Sequence, residues 1–237
     1  MTDLSKLTRI RALLDNAESY AQQGNNDAAE SYRNKAISLM ARHGIEEAML
    51  SARHHRDEVP VQRRVDLPRP YPQDKAALLN AITQALGARA IRFTGQEPHM
   101  ILVGFDSDLD RVELLYTSLL IQAFAELART PLPHDTNRVS FTKSWLAGFA
   151  TVVGSRIEDA EARARGEYAA ENGVGTEIVV RDRSQRVQST YAEMFPQRRT
   201  TRRSVGSGVG YLRGRDAGQR ADIGARKVST TRRAIDD

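Results

Sequence analysis

The chain has no cysteine, which excludes disulfides, thiolate nucleophiles and every cysteine-ligated zinc or iron–sulfur centre. That absence fits a reducing compartment, and the expected location is the cytoplasm. Long apolar runs are also missing. No stretch approaches the roughly 18 uncharged apolar residues of a transmembrane helix, so no membrane span is expected. The opening MTDLSKLTRIRALLDNAESY scatters charges where a secretory signal would need an apolar stretch, so it is not read as one. Several catalytic signatures are absent as well. There is no G-x-S-x-G elbow, and any nucleophile would be a Ser, Thr or Tyr without recognisable partners. The histidines His43, His54, His55, His99 and His134 nowhere form H-E-x-x-H or a similar spacing, so no sequence-local metal site is present and no cofactor is expected.

What is there is a chain of 237 residues, 40% hydrophobic and 27% charged, long enough to bury a substantial core. Its net charge of +5 is unevenly spread. From Arg181 to Arg233 there are 14 Lys/Arg against 4 Asp/Glu, a local excess of +10, while the remainder holds 21 against 26 and is mildly acidic at −5. An acidic body with a basic C-terminal part is the asymmetry of a protein that meets a polyanion. Of the cations in the basic part only Lys227 is not arginine, and arginine suits the forked geometry of phosphates.

Periodicity predicts an α+β fold in four parts. Residues 1–50 read as an αα-hairpin: Leu7, Ile10, Leu14, Ala17 and Ala21 recur at helical spacing, and Gly24-Asn25-Asn26 breaks the helix. Asp27 and Glu30 then suggest a capping box for a second helix ended by Gly44, with His43 complementing its C-terminal dipole. Residues 51–72, with Pro60, Pro68, Pro70 and Pro72, read as a linker lending an edge strand through Val59, Val61, Val65 and Leu67. Residues 73–195 read as an α+β domain, a small mixed or antiparallel sheet packed on two long helices. Its elements are a helix over Asp74–Leu86 closed by Gly87, a hairpin of Ala90–Thr94 and His99–Phe105, and a long helix capped by Ser107 and Asp110 with a stripe from Val112 to Leu127. A second long helix over Phe141–Arg165, a strand over Thr176–Val180, and a short helix over Ser184–Phe195 facing inward through Val187, Tyr191 and Met194 complete it. Residues 196–237 read as an irregular arginine- and glycine-rich arm, too poor in large apolar side chains to order itself.

Two blocks, TRIRALLDNAES and NDAAESYRNKAISLMARHGI, resemble the N-terminal helical domain of an uncharacterised family found in actinobacteria, their phages and prophages. VGFDSDLDRVELLYTSLLIQA, SWLAGFATVVGSRIEDAEARA and GYLRGRDAGQRADIG resemble the companion region of the same proteins. The resemblance implies an intracellular bacterial or phage protein of that architecture, and it transfers no catalytic residue. It also implies order around Gly214 and Gly218, against the local composition.

Four features carry candidate chemistry. Asp106-Ser107-Asp108-Leu109-Asp110 matches the start of a calcium loop, but the required Gly and Glu are replaced by Arg111 and Thr117. Its plainer reading is a strand-to-helix turn whose acids complement the helix dipole. Asp106 and Asp108 remain the candidates for a metal-dependent hydrolase or nuclease. Gly206-Ser-Gly208-Val-Gly210 lacks the strand before it and the Gly-Lys-Ser/Thr after it that a phosphate loop needs, and reads as a flexible turn. Trp145 and Phe149, one turn apart on an apolar face, read as core. The arginine pairs are the strongest signal. Arg198, Arg199, Arg202, Arg203, Arg213 and Arg215 are the candidate phosphate contacts, and Tyr211 either stacks on a base or lies on the core. No helix-turn-helix, RNA-recognition, KH or zinc-finger pattern accompanies them, so the leading expectation is non-enzymatic, phosphate-directed association with nucleic acid. A third expectation is a protein partner, such as a phage-assembly component, docked on the N-terminal hairpin.

Overall fold

The computed structural model describes residues 3–23, 25–53, 58–172, 175–197, 208–221 and 223. The sheet is the simplest place to begin. Gly95-Gln96-Glu97-Pro98 interrupts the alternation of its flanks, and the chain reverses there. Strands β2 (Arg89–Phe93) and β3 (His99–Gly104) pair antiparallel, with Phe93 opposite His99. Strand β1 (Val61–Asp66) pairs antiparallel with the other side of β3, with Val61 opposite Gly104, giving the order β1-β3-β2. The proline-rich segment thus supplies an edge strand, as its alternation predicts, and the following Leu67 is buried. Central β3 is the most buried strand because it alone has neighbours on both sides.

Helices α1 (Asp3–Gln22) and α2 (Asn26–Arg53) form the expected hairpin. Asn25, two residues before the predicted Asp27, caps α2, its Oδ1 accepting from the Ala28 N–H at 3.1 Å. Helix α2 does not stop at Gly44 but runs on to Arg53, so His43 is buried in mid-helix and not at a helix end. Gly44 serves close approach and not termination: a Cβ there would overlap the guanidinium of Arg111, whose Nε alone would lie 3.2 Å away.

Helix α3 (Pro72–Ala85) ends as predicted at Gly87, whose φ of 79° favours glycine. Helix α4 (Asp106–Arg129) starts directly after β3, with Phe105 at the N-cap and no side-chain cap, so Ser107 and Asp110 lie inside the helix and do not cap it. Helix α5 (Arg138–Asn172) is longer than predicted, and α6 (Gly175–Met194) replaces both the strand over Thr176–Val180 and the short helix after it. Thr176, Arg183, Val187 and Tyr191 form the buried side of α6 at helical spacing. A charged residue in one of those inward positions hid the period. Met194, expected inward, is 41% exposed. Helix α7 (Gly208–Arg220) lies in the region read as an irregular arm.

One core joins the helical hairpin to the α+β part. Ile10 and Met40 belong to the same buried cluster as Leu79, Ile82, Leu102, Leu109, Leu119, Trp145, Phe149 and Ile157. Trp145 and Phe149 stack at 5.4 Å and are fully buried, as core residues should be. Long α5 is the hub, packing against α2, α3, α4, α6 and α7. Among the described residues no helix is long and apolar enough to cross a membrane.

Candidate nucleic-acid interface

Helix α7 has few large apolar residues, so ordinary side-chain burial cannot hold it. Glycine does. Gly210, Gly214 and Gly218 recur every fourth residue and are all buried, with Ala217 beside them. A Cβ on Gly210 would sit 2.8 Å from the Phe141 carbonyl oxygen, and one on Gly218 would sit 3.0 Å from that of Phe149. One on Gly214 would overlap the Trp145 carbonyl outright. Helix α5 answers with Gly148, where a Cβ would overlap the Tyr211 carbonyl and lie 2.9 Å from the Arg215 nitrogen. Two backbones are therefore in direct contact, and dispersion between close-packed main chains replaces side-chain interdigitation. Arg156 fastens the end of the seam by donating to the carbonyls of Gly218 (2.6 Å) and Ala221. Of the segment read as a turn over 206–210, Gly208 to Gly210 open a helix, and Gly206 and Ser207 lie outside the described residues.

The seam sets the disposition of the predicted phosphate contacts. Arg215 is exposed; Arg213 is half-buried and donates to the Pro131 carbonyl, and no carboxylate among the described residues pairs with it. Arg220 reaches Glu126 only at 3.9 Å, across an exposed surface. Tyr211 is half-buried against α5. Arg198, Arg199, Arg202 and Arg203 lie outside the described residues.

The arginines of α6 have a different fate. Arg183 is buried, donates to Asp108 Oδ2 at 3.1 Å and Glu58 Oε2 at 3.2 Å, and lies 3.7 Å over the Phe105 ring. Arg186 donates to the Glu58 carbonyl and lies 5.4 Å over the same ring. Asp108 also accepts from Arg111 at 3.3 Å, and Arg111 pairs with Glu161 of α5, both of them buried. Three guanidiniums and three carboxylates thus close on one another around the start of α4, a neutral set drawn from α4, α5, α6 and the segment before β1. Buried charges survive desolvation when paired in this way.

This arrangement separates the two acidic candidates. Asp106 turns outward to Arg63 of β1, whose Nη1 also binds Asp110 at 2.7 Å. Burial opposes the Arg63 charge, but its hydrogen bonds to Asp110 and Asp106 and the charge of Glu113 outweigh it, and its pKa is raised. Asp108 turns inward to Arg111 and Arg183. The two carboxylates do not converge, each is neutralised by arginine, and no group of acidic and histidine side chains suited to a metal occurs among the described residues. Much of the hairpin's apolar side is likewise occupied: Ile10, Leu13, Ala17, Ala36 and Met40 are buried, while Leu50 is exposed.

Sequence reasoning missed Gly148 as the partner of the α7 glycines, and Arg111 and Glu161 as a buried pair. The i, i+4 glycine spacing was the available signal for the first. Nothing local marks the second, since the pair is separated by 50 residues. No protein-family model, no curated protein and no solved structure matches this chain.

Proposed function

We propose that this protein is a non-enzymatic, nucleic-acid-associated protein that binds phosphates through its arginine-rich C-terminal segment. The observation that carries the reading is the glycine seam. It brings α7 onto the main chain of α5, with Ala217, Ala221 and Ile223 buried and Arg156 bonded to its last carbonyls, so the exposed Arg215 is not needed to hold it. Arg215 stands exposed, and Arg213 is held by a carbonyl and not by a carboxylate. In sequence, Arg198, Arg199, Arg202 and Arg203 precede α7, and Arg226, Lys227, Arg232 and Arg233 follow it, so α7 is a fixed point within a cationic stretch. Phosphates are neutralised by such a surface without base readout.

Fluorescence anisotropy of the full chain with a labelled duplex, titrated across salt concentrations, tests this. Engagement of about six phosphates gives a log–log salt slope near −5. A slope near zero, or no binding at low salt, would sink the proposal.

A further inference from the structure

Helix α4 carries no charged side chain from Leu114 to Ala125, more than three full turns. A helix that is uncharged all round is normally covered all round. Here one side alone is covered. Leu109, Val112, Leu115, Leu119 and Ala123 are buried in the core. On the opposite side Ile121 is 53% exposed, and Thr117, Ala125 and Ala128 are exposed with it, beside half-buried Leu114. Positions 114, 117, 121, 125 and 128 recur at three- and four-residue steps, so they form one stripe along the outer face. The two hydroxyls at this face are already bonded within the helix. Thr117 donates to the Glu113 carbonyl at 2.9 Å, and Ser118 Oγ accepts from Gln122 at 3.3 Å. A cover laid on the stripe therefore strands neither of them.

The ends of the stripe carry opposite charge. Toward the N-terminus, the carboxylates of Asp106, Asp110 and Glu113 share the single guanidinium of Arg63, which leaves an acidic excess. Toward the C-terminus, Arg129 and Arg220 share the single carboxylate of Glu126, which leaves a basic excess. A second copy laid antiparallel, on a two-fold axis through Ile121, meets both conditions. It sets Leu114 against Ala128 and Thr117 against Ala125, a larger side chain against a smaller one each time, and it brings Glu113 to Arg129 at both ends. Parallel copies would set acid on acid and align the two helix dipoles. From Asp110 to Arg129 the helix is about 30 Å long. Two such faces bury roughly 1,000 Å² in total, the lower end for a specific interface, which fits a reversible dimer of micromolar affinity.

We propose that the outer face of α4 is a self-association surface, on which two copies of this chain pair antiparallel about Ile121. The dimer goes beyond the phosphate binding proposed above and does not rest on it.

Sedimentation equilibrium of the full chain, up to about 100 μM, tests the association. A reversible dimer that weakens as salt is raised is the expected result. Ile121→Glu sets a carboxylate against its own copy at an exposed position, and is expected to raise the dissociation constant about tenfold or more. Because the chain has no cysteine, single-thiol variants report the geometry directly. Ile121→Cys alone, and Thr117→Cys mixed with Ala125→Cys, are expected to give disulfide-linked dimers on mild oxidation. Thr117→Cys alone is not, since its two copies stand about 12 Å apart along the antiparallel pair. These thiol variants carry the test if Ile121→Glu fails to fold. A chain that stays monomeric at the highest concentration overturns the proposal, as does an Ile121→Glu variant that dimerises like the wild type. Cross-linking of Thr117→Cys with itself in preference to Ala125→Cys overturns the antiparallel pairing. A monomeric wild type whose duplex binding is lost in Ile121→Glu assigns the face to nucleic acid, and the proposal falls.

Discussion

Helices α6 and α7 both belong to the arginine-rich stretch, yet they attach to the body by opposite means. Helix α6 sends Arg183 and Arg186 inward, onto Glu58, Asp108 and the face of Phe105. Helix α7 sends glycines inward, onto the carbonyls of Phe141, Trp145 and Phe149, and leaves Arg213 and Arg215 at the surface. One helix is held by its charges, and the other is held so that its charges remain available. A count of arginines cannot tell the two apart. What separates them is what meets the inward face: Asp108 and Glu58 meet Arg183 of α6, whereas the α7 glycines meet the main chain of α5.

The comparison breaks most visibly at Arg111. Arg111→Ala would strand Glu161 in the interior, and a loss of about 3–5 kcal/mol is expected in urea unfolding. A loss below about 1 kcal/mol would rank the α6-side network with ordinary surface pairs. Next in size is the seam. Gly214→Ala places a methyl group onto the Trp145 carbonyl and should cost about 1–3 kcal/mol, with amide hydrogen exchange of α7 rising ahead of the core. Gly166, in α5 with open space around its Cβ position, is the control: Gly166→Ala should stabilise by about 0.4–1 kcal/mol. If both glycines tolerate alanine equally, the backbone seam is not what holds α7. The smallest expected effect on stability is at Arg215. Arg215→Ala should move unfolding by no more than about 0.5 kcal/mol. The same variant should flatten the salt slope for duplex binding by about 0.9, one phosphate contact's share. Any larger stability loss would move Arg215 into the class of Arg183.

Local patterns were legible where one physical signal dominated. The hairpin of β2 and β3 follows from two alternating runs around Gly95 to Pro98, and the apolar stripe of α4 from Val112 to Ala123 is the buried stripe in the fold. Failures came where two signals competed. Gly44 looked like a helix stop because glycine favours that position, yet it marks the approach of Arg111, which lies 67 positions away in the chain. Thr176 to Val180 looked like a strand because four of its five residues are β-branched, but the inward face of α6 includes Arg183, and an apolar-only pattern cannot register a buried charge. The arm looked irregular because glycine is a poor helix former, and hydropathy does not count backbone contact as packing.

The amino-acid sequence by itself determined the α+β class, the helical hairpin, the antiparallel strands and the concentration of positive charge near the C-terminus. Each of these is written in spacing or composition over a few to a few dozen residues. The tertiary structure alone decided which arginines among the described residues are neutralised, because pairing depends on carboxylates brought from 43 to 125 residues away. It alone decided, too, that glycines in a polar stretch become a helix. Gly210, Gly214 and Gly218 stabilise that helix only because Gly148 and three carbonyls of α5 lie against them.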